Sequence, residues 1–115
     1  MIFACSGAAD VGGIADRAAR ELTKQGKGKM YCLAGVGGDV EGILKTSKGA
    51  DKILAIDGCN VECTRKLLET KGFKGFSYIQ LEKLGLEKGK SEINSINIEK
   101  VVEAGTLLLD SVNLK

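Results

Sequence analysis

Apolar residues in this chain fall into four short runs, Met1 to Cys5, Met30 to Ala34, Lys52 to Ile56 and Gly75 to Leu81. Between them, apolar residues recur every three or four positions. Unbroken runs of that length predict strands buried on both faces, and the 3.6-residue recurrence predicts helices, so strand alternates with helix along the chain. That alternation specifies an α/β fold: three layers, α/β/α, around a mainly parallel four-stranded sheet of the Rossmann or flavodoxin-like kind. At 115 residues the chain makes one such domain, residues 1–115.

Stripes and stops place the helices. Val11, Ile14, Ala15, Ala18, Ala19 and Leu22 form a stripe behind Asp10, which is placed to cap it, with Gly26 or Gly28 as the stop. A shorter stripe, Val40, Ile43 and Leu44, follows a cap at Asp39 and exits at Gly49. Asn60 is placed to cap a helix carrying Val61, Thr64, Leu67 and Leu68 as far as Gly72. A last helix starts near Asn97 and carries Ile98, Val101, Val102, Gly105, Leu108, Leu109 and Val112, and the charged stretch from Lys83 to Ser95 before it predicts an exposed loop.

The cysteines have regular places on this map. Cys5 ends the first strand, Cys32 falls near the end of the second and Cys59 follows the third, each 27 residues after the last, while Cys63 stands four residues further on. Parallel strands all point one way, so these thiols share the C-terminal edge of the sheet, the usual ligand crevice of open α/β folds. Adjacent strands lie about 4.8 Å apart. Side chains leaning inward from them can bring sulfurs to the roughly 3.8 Å separation that tetrahedral zinc, with Zn–S bonds of about 2.3 Å, requires. Cys59 and Cys63, at i and i+4, bring two thiols onto one helical face. The competing reading of any single cysteine is a small buried apolar filler.

Composition then removes whole classes of function. With no histidine, the chain cannot be a hydrolase with an imidazole base or hold a His-ligated metal. Its 17 basic and 15 acidic side chains leave a net charge of +2, and five aromatic residues give little to stack on bases, so nucleic acid is not an expected partner. No apolar run approaches the roughly 18 residues of a membrane span, and no charged lead-in precedes Ile2-Phe3-Ala4. A cytoplasmic protein without a membrane partner is expected, and there reduced thiols point to metal binding or thiol chemistry before disulfides.

Four segments carry a family likeness: Cys5-Ser6-Gly7, Val11-Gly12, Cys32-Leu33-Ala34-Gly35-Val36-Gly37-Gly38 and Ile56-Asp57-Gly58-Cys59-Asn60-Val61-Glu62-Cys63. In these the chain resembles the DGC-domain proteins, named for the motif that stands here as Asp57-Gly58-Cys59, and the likeness covers most of the sequence. The resemblance implies zinc binding through four chelating cysteines, matching Cys5, Cys32, Cys59 and Cys63, in a family without an established biochemical function.

A closed four-thiolate site is structural, or stores or senses zinc; an iron–sulfur cluster is the less favoured occupant. The N–H groups of the helix after Cys59, the glycines Gly12, Gly13 and Gly35 to Gly38, and the cations Arg65 and Lys66 are placed to offset thiolate charge. Asp57 either caps backbone N–H groups at its strand end or supports the metal ligands, and Glu62 is the other carboxylate near them. The expected function is a zinc-binding sensor, carrier or accessory subunit, with no catalytic residues and with room for a protein partner. Two alternatives stand beside it. One is a thiol enzyme using Cys59, either redox or phosphatase-like through the C-x5-R match of Cys59 and Arg65. The other is a phosphate or small-molecule module on Gly35 to Gly38, although a carboxylate at Asp10 disfavours phosphate at the first helix start.

Overall fold

A computed structural model describes residues 1–112 of the chain. Strands β1 (Ile2–Ala4), β2 (Leu54–Asp57) and β3 (Ser77–Gln80) form a parallel sheet in the order β1-β2-β3. Ile2 pairs with Leu54, and Leu54 with Ser77. Because side chains alternate across a strand, the sheet feeds two cores. Ile2, Ala4, Leu54, Ile56 and Ile79 pack with helices α1 (Asp10–Lys24) and α5 (Ser95–Val112). Phe3 and Ala55 pack with Val36, Leu68 and Phe73. Every residue of central strand β2 is buried, as covering on both faces requires.

The second apolar run does not become a strand, so the sheet has three strands where four are expected. Met30 makes one isolated parallel bridge to Ile2, the Tyr31 N–H donates to the Ile2 carbonyl at 2.9 Å, and the chain then turns into helix α2 (Leu33–Gly37). Local chemistry explains the change. The Cys32 sulfur accepts the Gly35 N–H at 3.3 Å, which closes a helical turn and ends the extended conformation.

The expected stripe of α1 is buried from Val11 to Leu22, and the chain leaves it through Gly26 at φ +75°. Helix α3 (Glu41–Lys48) exits at Gly49 as expected, but Asp39 stands outside it with φ +59° and makes no cap. Helix α4 (Cys63–Thr70) begins three residues after Asn60, leaves Val61 half exposed, and takes its cap from elsewhere. Helix α5 starts at Ser95, two residues before Asn97, because the Asn94 side chain accepts the Asn97 N–H at 2.9 Å. Val112, the last member of its expected stripe, lies outside the described side chains.

The segment from 83 to 95 is mostly exposed, as expected, but it is tethered. After a 3-10 turn over Leu81–Leu84, Leu86 is buried, and the Asp10 carboxylate accepts the N–H groups of Gly89 and Ser91 at 2.9 and 3.0 Å. Among the described residues no helix is long and apolar enough to cross a membrane.

Candidate metal centre

Strand ends position the thiols. Cys5 lies one residue past β1 and still belongs to the ladder, since its N–H donates to the Ile56 carbonyl at 3.1 Å. Where β2 ends, Gly58 brings the backbone against α1. A Cβ at Gly58 would stand 2.8 Å from the carbonyl carbon of Val11 and 2.9 Å from the Gly12 nitrogen. Gly12 is just as constrained, because a Cβ there would meet the Gly7 oxygen at 2.6 Å. This close approach sets the Cys59 loop beside the Cys5 loop.

Burial pushes the Cys5 thiol pKa up, and the neighbouring Asp57 carboxylate and Cys59 thiol add to the rise. The backbone amides of Gly7 and Gly58 oppose it. Cys32 faces the same space as Cys5. Together with Ser6, Asp16, Arg20 and Tyr31 they line an open cleft of about 640 Å³. Asp16 is held below the usual carboxylate range: its partial burial works the other way, but it accepts Ser6 Oγ and Arg20 Nε, both at 2.7 Å. Cys63 opens α4 and is exposed, like Cys32, whereas Cys5 and Cys59 are half-buried; all four are free thiols.

Two non-glycine residues beside the cysteines adopt left-handed backbone, Ser6 next to Cys5 at φ +49° and Glu62 next to Cys63 at φ +59°. Each such conformation costs on the order of 1–3 kcal/mol and persists where surrounding contacts over-determine it. For Glu62 those contacts are visible. Its carboxylate accepts Gln80 Nε2 at 2.8 Å and pairs with Arg65 at 3.5 Å.

Asp57 acts as a cap. Its two oxygens accept the N–H groups of Thr64 and Arg65 at 2.8 and 3.0 Å, and the Tyr78 hydroxyl donates to it at 3.0 Å. The first amides of α4, expected to face the thiolates, are therefore taken by a carboxylate. Burial raises the Tyr78 pKa and the Asp57 and Glu62 carboxylates raise it further, so the hydroxyl stays a donor. Tyr78 and Gln80 went unremarked in the sequence. Their signal is alternate spacing on a strand in register with Asp57, which puts both on one face at the sheet edge.

The glycines divide between two duties. Gly35 donates to the Cys32 sulfur as expected, but Gly12 and Gly13 lie inside α1, and the amides on the Cys5 sulfur come from Gly7 and Gly58. Gly37 makes room for a neighbour, since a Cβ there would meet Leu67 Cδ1 at 2.9 Å. Packing thus accounts for part of the glycine run that resembled a phosphate cradle. The C-x5-R stretch is interrupted by the start of α4 at Cys63, and Arg65 is engaged by Glu62, by Glu69 at 3.3 Å and by the Tyr78 ring at 5.5 Å. It forms no continuous phosphate-binding loop around Cys59.

Thiols alone, one of them accepting a backbone amide, make a donor set chemically suited to a thiophilic divalent ion. Their arrangement does not match as closely. Among the described residues no three Cys, Asp or Glu side chains are gathered into a group that could hold a metal ion. Of the four cysteines, Cys5 and Cys32 line one cleft.

Comparison with known proteins bears on the same residues. The chain is 33% identical over 92 residues to the anaerobic and virulence modulator AnvM of Pseudomonas aeruginosa, a match covering 80% of this chain and 70% of that protein. No solved structure matches it. The model of the DGC domain matches residues 1–104, a span that includes all four cysteines and the Asp57-Gly58-Cys59 motif, and on that match the chain belongs to the DGC-domain family.

Proposed function

We propose that this protein is a cytoplasmic, non-enzymatic regulator that binds zinc through Cys5, Cys32, Cys59 and Cys63, as a sensor, carrier or accessory subunit. The observation that carries the reading is the placing of two strand-end thiols on one cleft: Cys5 and Cys32 both line it, and the Gly35 N–H donates to the Cys32 sulfur at 3.3 Å. Such a donor favours thiolate, the form that binds metal. The same reading treats the fold as a reduced doubly wound, flavodoxin-like sheet whose ligands gather beyond the C-terminal strand ends. The relative's name, a modulator, fits a regulatory role.

Metal content of protein purified without added metal tests the proposal. A closed four-thiolate site holds about one zinc per chain and has no visible absorption. Cys5→Ser and Cys32→Ser should lower zinc content as sharply as Cys59→Ser or Cys63→Ser, because every ligand of a tetrahedral site counts. Brown protein moves the reading to an iron–sulfur cluster. Metal-free protein, or parent-like zinc affinity in both Cys5→Ser and Cys32→Ser, overturns it.

A further inference from the structure

The most exposed large apolar side chains among those described are not near the cysteines. Ile96 and Leu107 on α5 are 72% and 71% exposed, although the opposite face of the helix is buried through Val101, Val102 and Leu109. At 100° per residue, Ile96, Lys100, Glu103 and Leu107 fall within about 60° of one another, forming a second stripe about 16 Å long. Among the described residues neither Lys100 nor Glu103 has an ion-pair partner.

The order of this stripe is apolar, positive, negative, apolar, and that order is self-complementary. Set antiparallel to itself about a two-fold axis between residues 101 and 102, α5 places Ile96 opposite Leu107 of a second copy and Lys100 opposite Glu103. The same operation repeats both pairs on the other side of the axis, as an isologous contact requires. We infer that the exposed face of α5 is a dimerisation surface, and that its occupant is α5 of a second copy of this chain. Any other helix would have to reproduce the apolar spacing and reverse the charges, which this sequence does by itself.

One helix pair is smaller than the roughly 800 Å² per partner of a stable interface, so the dimer forms in a concentration-dependent equilibrium. The inference does not depend on the metal reading.

Analytical ultracentrifugation across a wide concentration range tests it, with circular dichroism to check that each variant is folded. The parent should shift from monomer to dimer as concentration rises, and Leu107→Arg should remain monomeric. Lys100→Glu should weaken the dimer by about tenfold, since it sets like charges opposite each other twice. The double variant K100E/E103K, which restores opposite charges only in this register, should recover association. If Leu107→Arg fails to fold, Leu107→Ser serves instead, because the position is exposed. A parent that stays monomeric overturns the inference, whether the stripe is then bare or met by a different protein. So does a dimer that survives the Leu107 substitution, or a double variant no better than Lys100→Glu.

Discussion

The Asp57 carboxylate accepts the backbone N–H of Thr64 at 2.8 Å, so the end of β2 caps the start of α4 from seven residues away. That bond is buried and has no local substitute, since Glu62 makes no side-chain cap of its own. Asp57→Ala should lower stability by about 2–3 kcal/mol, combining a lost cap with unsatisfied amides. Urea denaturation measures the loss. An Asp57→Ala protein as stable as the parent would mean that α4 is held by packing alone.

Backbone contact between the two cysteine loops makes a second expectation specific to position. Gly12→Ala and Gly58→Ala each force a methyl against main-chain atoms, which do not yield as a side chain would. Both should lose about 1–3 kcal/mol or more. Gly7→Ala is the control, because a Cβ there has nothing within 4 Å. Thermal unfolding of the three variants should separate the first two from the third.

Acid should release the segment before α5. Hydrogen bonds from the Gly89 and Ser91 amides hold the Asp10 carboxyl below its ordinary value of 3.8. A carboxyl with a depressed folded pKa contributes stability that is complete above the unfolded value and fades as pH falls through the folded one. The protection of the Gly89 and Ser91 amides, taken relative to their intrinsic exchange rate at each pH, should therefore fall below about pH 4, and Asp10→Asn should remove most of that pH dependence. A parent whose protection at these amides is unchanged between pH 5 and pH 3 would show that this tether contributes nothing.

The unequal exposure of the thiols gives a test of how many of them bind. Without metal, iodoacetamide should modify exposed Cys32 and Cys63 before half-buried Cys5 and Cys59. Zinc held by all four should protect the exposed pair as well as the inner pair. Peptide mass mapping reads out each site, and persistent labelling of Cys32 and Cys63 in zinc-loaded protein would reduce the site to two ligands.

Much of this arrangement was legible before any coordinates. The stripe from Val11 to Leu22, the exit at Gly49 and the three strands all follow from periodicity and turn chemistry, which are local properties. The placing of Cys5 and Cys59 at strand ends came from the same source. Long-range pairings were harder to read. Asp10 is placed by its sequence to cap α1, but the N-cap is Ala9, which makes no side-chain cap, and the Asp10 carboxylate holds the amides of Gly89 and Ser91, remote in sequence; at α4 the Asp57 bonds to Thr64 and Arg65 replace the cap expected at Asn60. The second run differs because Met30 to Ala34 has a strand-like composition, while a hydrogen bond from the Gly35 N–H to the Cys32 sulfur starts a helix at Leu33.

Leu67 of α4 fills the space that Gly37 of α2 leaves open, and these are the two helices whose starts carry the exposed cysteines, Cys63 and Cys32. The outer thiols are thereby geared together through one interlocked pair of side-chain positions, as the inner thiols are through the Gly58 and Gly12 backbone. A site built on these thiols would accordingly rest on two supports, one of side-chain packing and one of backbone contact. A substitution that enlarges residue 37 would disturb the bite of both outer cysteines without touching either sulfur.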